Sequence, residues 1–311
     1  HAEDDPRERH QDRIGEGFLE TRVVENHGIS VERINAGRHL QGEIGHADEA
    51  GALVVTRNSR KFLAEQFRII RSNLQYILPQ VEKPVLLVTS SFSGEGKSFV
   101  STNLGSVLAL SGKRTVILEF DIRKPKIMKG LGMYERRGIT NYIVGGVTLN
   151  ELIHQVRDVE NLFVISCGPV PPNPAEMLLN ERVKELFREV RERFDAVIVD
   201  TAPIGLVSDA ITLGSHADAS VYIVRHNYTL KKQLNLIDEI YRFNKLPHLS
   251  IVINDISARG GYGGYYGYGG YGYGYGYGYG YGNSNGEGGY FENGTPKAKG
   301  WKKWFGKSVK K

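Results

Sequence analysis

Apolar runs and segments of helical periodicity alternate along the middle of this chain. Strands are predicted where Val, Ile, Leu and Phe cluster, at 85–89, 115–120, 161–166, 194–200, 219–224 and 249–254. Helices are predicted where apolar residues recur every three or four positions, at 60–78, 97–110, 149–156, 175–193, 207–214 and 230–243. Buried strands that alternate with helices predict an α/β fold, a mostly parallel sheet with helices on both faces.

The first predicted strand leads through a small-residue loop into a helix, with the sequence VLLVTSSFSGEGKS over 85–98. Strand, loop, Gly-Lys-Ser and helix together are typical of a phosphate-binding loop, in which backbone N–H groups and the helix N-terminus hold phosphate oxygens. We expect Lys97 to reach the β- and γ-phosphates and the Ser98 hydroxyl to ligate Mg²⁺. The predicted nucleotide-binding residues are Ser93, Gly94, Glu95, Gly96, Lys97, Ser98 and Phe99. Ser91 departs from the pattern, which has glycine there, and the alternative is a surface turn with a lone lysine.

Carboxylates follow two later strands of the predicted sheet. Asp200 ends the strand at 194–200 and is predicted to hold Mg²⁺, directly or through water, the alternative being a helix cap. Ligands bind at the carboxyl ends of parallel strands, so Ser98, Asp121 and Asp200 should converge there and hold the metal.

Glu119 and Asp121 form a second acidic pair at a strand end. They are two residues apart and should therefore point the same way. One of them could act as the base that orients an attacking hydroxyl, while the other helps with Mg²⁺. The alternative is surface ion pairing with Arg123 and Lys124.

Charge and cysteine content exclude several classes of protein. The formal net charge is +5, but 297–311 contain seven lysines and no acid, which leaves the other 296 residues at −2. A nucleic-acid-binding body is therefore not expected. Cys167 is the single cysteine and follows an apolar run, so we predict a buried, inert thiol and no disulfide. No apolar run approaches the roughly 18 residues that span a bilayer.

The composition changes completely from Gly260 onwards. Eleven of the 17 tyrosines lie between Tyr262 and Tyr290, among glycines that cannot build a core, so this low-complexity segment is predicted to be flexible. At the end of the chain, Trp301, Trp304 and Phe305 lie at helical spacing among lysines. That pattern favours an anionic membrane surface as a partner, or pairing of the lysines with modified tyrosines.

Three segments together carry a resemblance to a known family. SSFSGEGKS, VILEFDIRKP and FDAVIVDTAPIGLVSDA resemble the three Walker motifs of the bacterial tyrosine kinases, the cytoplasmic kinase domains of polysaccharide co-polymerases. The resemblance covers roughly 50–290 and implies a P-loop NTPase fold, ATP and Mg²⁺ as cofactors, and Lys97, Asp121 and Glu119 as catalytic residues. Two departures are Glu119, where the family usually has Asp, and Ala202, where it usually has Pro.

The resemblance extends beyond the Walker motifs. EQFRIIRSNLQY is similar to the family's oligomerisation helix, here Glu65, Arg68 and Arg71, although ion pairing within the helix is the alternative reading. Asn254 is implied to contact adenine. The tyrosine cluster resembles the family's autophosphorylation region, with the acceptors Tyr262, Tyr265, Tyr266, Tyr268, Tyr271, Tyr273, Tyr275, Tyr277, Tyr279, Tyr281 and Tyr290.

The resemblance therefore implies an ATP-dependent tyrosine autokinase that acts in trans within a ring homo-oligomer and regulates capsule or exopolysaccharide synthesis. Its implied partners are a transmembrane co-polymerase portion, on this chain or another, and a tyrosine phosphatase, at the cytoplasmic face of the bacterial inner membrane. The predicted segments are a partly disordered linker at 1–50, the kinase domain at 51–258, the tail at 259–294 and a basic segment at 295–311.

Two other functions remain open from the sequence. One is a Mg-ATPase switch with a deviant Walker motif that controls assembly on a membrane without kinase activity. Such proteins typically carry an additional lysine early in the phosphate loop, where this chain has Ser91-Phe92-Ser93, and they lack a tyrosine-rich tail. The other is a nucleotide-binding scaffold without turnover.

Overall fold

The computed structural model describes residues 40–46, 51–59, 62–78 and 81–256. The predicted acceptor tyrosines, the basic segment and most of the predicted linker lie outside the described residues. The strands are β1 (Leu40–Gly45), β2 (Val85–Ser90), β3 (Thr115–Phe120), β4 (His154–Gln155), β5 (Leu162–Ile165), β6 (Ala196–Thr201), β7 (Ala219–Arg225) and β8 (Leu249–Ile256). The helices are α1 (Phe62–Ile77), α2 (Lys97–Leu110), α3 (Ile127–Gly130), α4 (Ile139–Ile143), α5 (Pro174–Leu178), α6 (Glu181–Arg193), α7 (Asp209–Gly214) and α8 (Leu234–Arg242), with 3₁₀ turns at Leu149–Glu151 and Lys231–Gln233.

All of the described strands belong to one sheet, in the order β1-β8-β7-β2-β6-β3-β5-β4. Pairing is parallel throughout except at β4, a two-residue edge strand that runs antiparallel to β5. This confirms the predicted α/β class with a mostly parallel sheet. The strand β2, which leads into the phosphate loop, lies between β7 and β6, so the loop emerges near the middle of the sheet.

Side chains on the two faces of the sheet build two separate cores. On one face, Phe67 of α1 and Leu104 of α2 pack with Ile198 of β6. On the other face, Leu186 of α6 and Ile240 of α8 belong to one cluster with the strand side chains that point to that face. Both faces of the parallel strands are therefore covered, which explains why those strands are continuously apolar in the sequence.

Several element boundaries differ from the sequence prediction. The sheet begins at Leu40, upstream of the domain boundary predicted at residue 51. The single helix predicted over 175–193 is wrong, because α5 and α6 are separate and Asn180 caps α6 by accepting a hydrogen bond from the Arg182 N–H at 3.0 Å. The helix predicted over 149–156 is also wrong, since a 3₁₀ turn and β4 occupy it.

Two predictions about chemistry outside the crevice can be compared with the structure. Cys167 is buried, and burial raises the pKa of its thiol to about 12, so it stays protonated and unreactive at neutral pH. Among the described helices, none is both long and apolar enough to cross a membrane.

Candidate active site

The phosphate loop runs from the end of β2 to the start of α2. Gly94 and Gly96 have φ values of 92° and 98°, in the left-handed region that other residues rarely adopt. A Cβ on Gly96 would lie 2.1 Å from Asn254 Nδ2, so a side chain is excluded there on two grounds. The loop backbone at Gly96 therefore lies close to the Asn254 side chain of β8.

Ser91, the departure from the expected pattern, is accommodated without strain. Its φ is not positive, so this position does not require glycine. Its buried hydroxyl hydrogen-bonds Tyr222 Oη of β7 at 2.8 Å. A Cβ on Gly205 would lie 2.4 Å from the Ser91 carbonyl oxygen, so the loop after β6 supplies the glycine that lets the backbones approach closely.

Asp200 lies next to the phosphate loop, near the carboxyl end of β6. Its Oδ2 accepts a hydrogen bond from the Ser98 hydroxyl at 2.8 Å, and its Oδ1 accepts one from the Ser101 hydroxyl at 3.0 Å. Burial raises the pKa of Asp200 to about 7, although the charge of Lys97 and the two hydroxyls oppose the shift. A fully buried carboxylate with one neighbouring cation is suited to receive a metal ion.

Asp121 follows β3 and completes the acidic side of the crevice. It is buried, and its Oδ1 accepts a hydrogen bond from the Lys124 N–H at 3.1 Å. Its charge also contributes to the raised pKa of Asp200, so the two carboxylates are close enough to interact. The structure thus brings Lys97, Ser98, Asp121 and Asp200 to one end of the sheet.

Glu119 has a different environment from Asp121. Its Oε1 accepts a hydrogen bond from the Ile127 N–H at 2.6 Å, and its Oε2 accepts one from the Cys167 N–H at 3.3 Å. Burial raises its pKa, while these backbone hydrogen bonds oppose the shift. The carboxylate joins the start of α3 to the segment after β5, and its predicted catalytic role stays a prediction.

Arg123, one of the two basic residues that follow Asp121, has a different hydrogen-bonded partner from the one in the ion-pair alternative. Arg123 instead forms a bidentate ion pair with Asp209 of α7, at 2.8 and 3.1 Å. The pair joins the loop after β3 to the helix that follows the loop after β6. Both loops border the crevice, so this contact fixes their separation.

A cavity of about 720 Å³ opens beside the phosphate loop. Its size is in the range of small-molecule sites. Its lining combines glycines of the loop and of β1 with one aromatic ring, two lysines and polar side chains from β7 and β8; it includes Gly94, Gly96, Phe99, Lys126, Lys129, Arg225, Asn254 and Asp255. Asn254 Nδ2 donates to the Glu95 carbonyl at 3.0 Å, and its predicted contact with adenine stays a prediction.

The three predicted oligomerisation residues lie on α1, away from the carboxylates. Arg68 and Glu65 form an ion pair within the helix, and their predicted role in oligomerisation stays a prediction. Arg71 Nη1 donates to the Val107 carbonyl of α2 at 3.4 Å. Phe62 and Ile69 of the same helix are both 43 % exposed, which leaves an apolar surface beside these charges.

A magnesium ion fits the donors of this crevice. No cluster of three or more His, Cys, Asp or Glu suited to a metal occurs among the residues that the structure describes. Mg²⁺ is typically held by one or two carboxylates together with substrate phosphates, so Asp200, Asp121 and the Ser98 hydroxyl form an appropriate set. Sequence reasoning missed Ser101, although its position one helical turn after Ser98 places both hydroxyls on one face of α2.

Comparison with known proteins agrees with this geometry. The chain matches the model of the CobQ/CobB/MinD/ParA nucleotide binding domain over residues 86–262. It is 34 % identical over 206 residues to the tyrosine-protein kinase YwqD of Bacillus subtilis, covering 66 % of this chain and 86 % of YwqD. It is 30 % identical over 267 residues to the tyrosine-protein kinase wzc of Salmonella typhi, covering 83 % of this chain but 36 % of that protein.

Solved structures show the same fold. The kinase domain of the Escherichia coli tyrosine kinase ETK superposes with a TM-score of 0.66 at 24 % identity, covering 74 % of this chain and 94 % of that domain. The match confirms the phosphate-loop α/β fold that the sequence predicts. The chain therefore corresponds to most of the shorter relative and to about a third of the longer one.

Proposed function

Because the chain belongs to the bacterial tyrosine-protein kinases, a family built on the CobQ/CobB/MinD/ParA nucleotide binding domain, we propose that its kinase activity is directed at its own C-terminal tyrosines. The nucleotide would be ATP with Mg²⁺. The modified tail would in turn regulate capsule or exopolysaccharide synthesis. The observation that supports this most is that Ser98 and Asp200 are hydrogen-bonded beside Lys97 of the phosphate loop. The same chain carries a tyrosine-rich segment near its C-terminus.

The crevice provides a group for each requirement of phosphoryl transfer. Lys97 and the loop N–H groups would hold the β- and γ-phosphates, with Ser93, Glu95 and Phe99 completing the nucleotide site. Ser98, Asp121 and Asp200 would hold Mg²⁺, which supplies neutralisation of phosphate charge when bound. Asn254 would contact the adenine.

The transfer balances without any further reactant. A phenol oxygen forms a bond to the γ-phosphorus, and the bond from that phosphorus to the β,γ-bridging oxygen breaks, so ADP leaves with the electron pair. A free phenol has a pKa of about 10, and its proton must be accepted as the bond forms. Asp121 is the proposed acceptor, because the Glu119 carboxylate is occupied by two backbone N–H groups.

We propose transfer in trans, between chains of a ring homo-oligomer. A flexible tail of about 30 residues has a root-mean-square reach of roughly 30 Å, enough to enter a neighbouring crevice. The charges of Glu65, Arg68 and Arg71 and the exposed apolar residues beside them would form the contact between chains. Each phosphate adds nearly two negative charges, so a modified tail would repel docking and favour dissociation.

The proposed partners follow from the same resemblance. They are a transmembrane co-polymerase portion, a tyrosine phosphatase that resets the tail, and an anionic membrane surface that meets the basic segment at 295–311. The proposed location is the cytoplasmic face of the bacterial inner membrane. The capsule or exopolysaccharide role belongs to this proposal.

Mass spectrometry of the full chain after incubation with Mg-ATP tests the acceptor sites. We expect phosphotyrosine between Tyr262 and Tyr290, and none in Lys97→Met. ATP consumption without phosphotyrosine would instead indicate a Mg-ATPase switch, and nucleotide binding without turnover would indicate a scaffold.

A mixing experiment tests transfer in trans. The donor is a full chain in which the eleven tail tyrosines are replaced by Phe, and the acceptor is the full Lys97→Met chain. Phosphate on the acceptor would support transfer between chains. An acceptor that stays unmodified in this mixture, when the wild-type chain incubated alone with Mg-ATP becomes modified, would restrict transfer to a single chain.

A further inference from the structure

The last residue of β7 and the turn that follows it contact the phosphate loop at three successive residues. Arg225 Nη1 donates to the Gly94 carbonyl at 2.8 Å, and the Tyr228 hydroxyl donates to the Ser93 carbonyl at 3.0 Å. The Thr229 hydroxyl hydrogen-bonds the buried carboxylate of Glu95, which also accepts from the Phe92 N–H at 2.6 Å. We call residues 225–229 the loop clamp.

The loop clamp is itself held in one conformation. The Thr229 N–H donates to the Arg225 carbonyl at 3.0 Å, and the Thr229 hydroxyl oxygen accepts from the Arg225 N–H at 2.9 Å. The Arg225 guanidinium lies 4.9 Å from the centre of the Tyr228 ring, a cation–π contact. The three contacting side chains therefore act as a unit and not as independent rotamers.

Arg225 is also fixed from the opposite side. Its Nε donates to Asp255 Oδ2 at 2.8 Å, and His46, directly after β1, hydrogen-bonds Asp255 Oδ1. Asp255 has a φ of 64°, an unfavourable conformation for a residue other than glycine, which costs on the order of 1 kcal/mol. A strained backbone that aims a carboxylate at Arg225 indicates that the position of this guanidinium matters.

Planarity of the peptide bond turns these contacts into control of the anion site. In a trans peptide, the C=O of one residue and the N–H of the next point in opposite directions. Tyr228 holds the carbonyl of Ser93, Arg225 that of Gly94, and Asn254 that of Glu95. Three successive peptide planes are thereby fixed, and with them the direction of the N–H groups of residues 94, 95 and 96.

We infer that Arg225, Tyr228 and Asn254 are positioning residues that preset the N–H groups of the phosphate loop for the nucleotide phosphates. This inference rests on the proposed nucleotide site and deepens it. None of these side chains needs to touch the phosphates, because each acts through a carbonyl on the outer side of the loop. Without them, the loop would have to order on binding, and part of the affinity would be lost to that cost.

Calorimetric titration of the full chain with Mg-ADP tests the inference. Hydrogen bonds from charged donors are among the stronger ones, so Arg225→Met should raise Kd about tenfold. Arg225→Lys keeps the charge but cannot reach both Gly94 and Asp255, so its Kd should lie between those of wild type and Arg225→Met. Tyr228→Phe keeps the ring and loses one hydroxyl, and should raise Kd roughly threefold. Arg242→Met is the matched control, since Arg242 pairs with Asp238 on α8, and it should bind as wild type does.

Kinetics and thermal unfolding separate positioning from general stability. KM for ATP should rise in Arg225→Met more than kcat falls, because the phosphate contacts exist before and during transfer. A merely structural role would lower the melting temperature of the nucleotide-free chain and leave Kd unchanged. Equal Kd values in Arg225→Met, Tyr228→Phe and wild type would overturn the inference, and should Arg225→Met not fold, Tyr228→Phe alone decides. A wild-type chain that binds no Mg-ADP would contradict the proposed function instead.

Discussion

The Ser98 hydroxyl and the Asp200 carboxylate lie 2.8 Å apart and join the start of α2 to the end of β6. Asp200 is completely buried, and a second hydroxyl, that of Ser101, donates to its other oxygen. The two hydroxyls are alike in chemistry and in partner. They differ in position, since Ser98 directly follows the phosphate-loop lysine and Ser101 lies one turn deeper in α2.

That difference gives a matched pair of substitutions. Ser98→Ala should weaken Mg-ADP binding at least tenfold, because it removes a proposed metal ligand. Ser101→Ala should change the affinity less than threefold, although it leaves Asp200 Oδ1 without its donor and should cost about 1 kcal/mol of stability. Calorimetry with and without Mg²⁺ measures the affinities. Equal losses in the two variants would contradict the assignment of Ser98 to the metal.

The pKa of Asp200 predicts how stability depends on pH. Burial raises this pKa to about 7, whereas an unfolded chain has it near 4, so between these values the folded chain alone holds the proton. Stability should therefore fall as the pH rises from about 4 to 7, by at most about 1.4 kcal/mol per pH unit from this group. Urea unfolding without nucleotide or metal, compared with Asp200→Asn, isolates the contribution. If the two stability profiles run parallel, Asp200 is ionised throughout the range.

Gly96 and Gly112 provide a test of the loop's shape. Both have φ near 90°, but a Cβ on Gly96 would lie 2.1 Å from Asn254 Nδ2, whereas one on Gly112 would meet nothing within 4 Å. Gly112→Ala should cost about 1 kcal/mol of stability and leave nucleotide affinity unchanged. Gly96→Ala carries the same strain and also displaces the Asn254 amide, so Mg-ADP binding should be lost. Binding to both variants within twofold of wild type would show that the loop adjusts freely.

Glu119 and Asp121 are expected to respond differently to amide substitution. Glu119→Gln places an NH₂ group among two backbone N–H donors, so it should lower the melting temperature by several degrees. Asp121→Asn should lower kcat at least a hundredfold with a small change in melting temperature, because it removes the proposed proton acceptor. Thermal unfolding and phosphotyrosine formation are measured on the same preparations. The reverse pattern would assign the base to Glu119.

The fold and the core of the site could be predicted from local signals. Continuous Val and Ile runs mark strands covered on both faces, and the ends of those strands place Ser98, Asp121 and Asp200 together. The break between α5 and α6 was missed because Leu178 and Val183 continue the apolar periodicity across it, although Asn180 is a typical helix cap.

The environment of Glu119 and the loop clamp could not be predicted in the same way. Two-residue alternation predicts Glu119 and Asp121 on one face, but the N–H groups that occupy Glu119 come from Ile127 and Cys167, and that contact depends on tertiary packing. Arg225 and Gly94 are 131 residues apart in sequence. In the sequence, the one indication of this contact is that Arg225 directly follows the strand predicted at 219–224.

The surface of α1 provides a test of the proposed contact between chains. Glu65 and Arg68 are a partly exposed pair of the kind that contributes about 0.5 kcal/mol or less to stability, so replacing both with Ala should change the melting temperature little. If this surface joins neighbouring chains, the same change should convert an oligomer to a monomer, as measured by light scattering in solution. Glu181 and Lys184 of α6 form a control pair of the same i, i+3 spacing, and their replacement should leave the mass unchanged. A wild-type mass retained by the α1 variant would move the contact between chains to another surface.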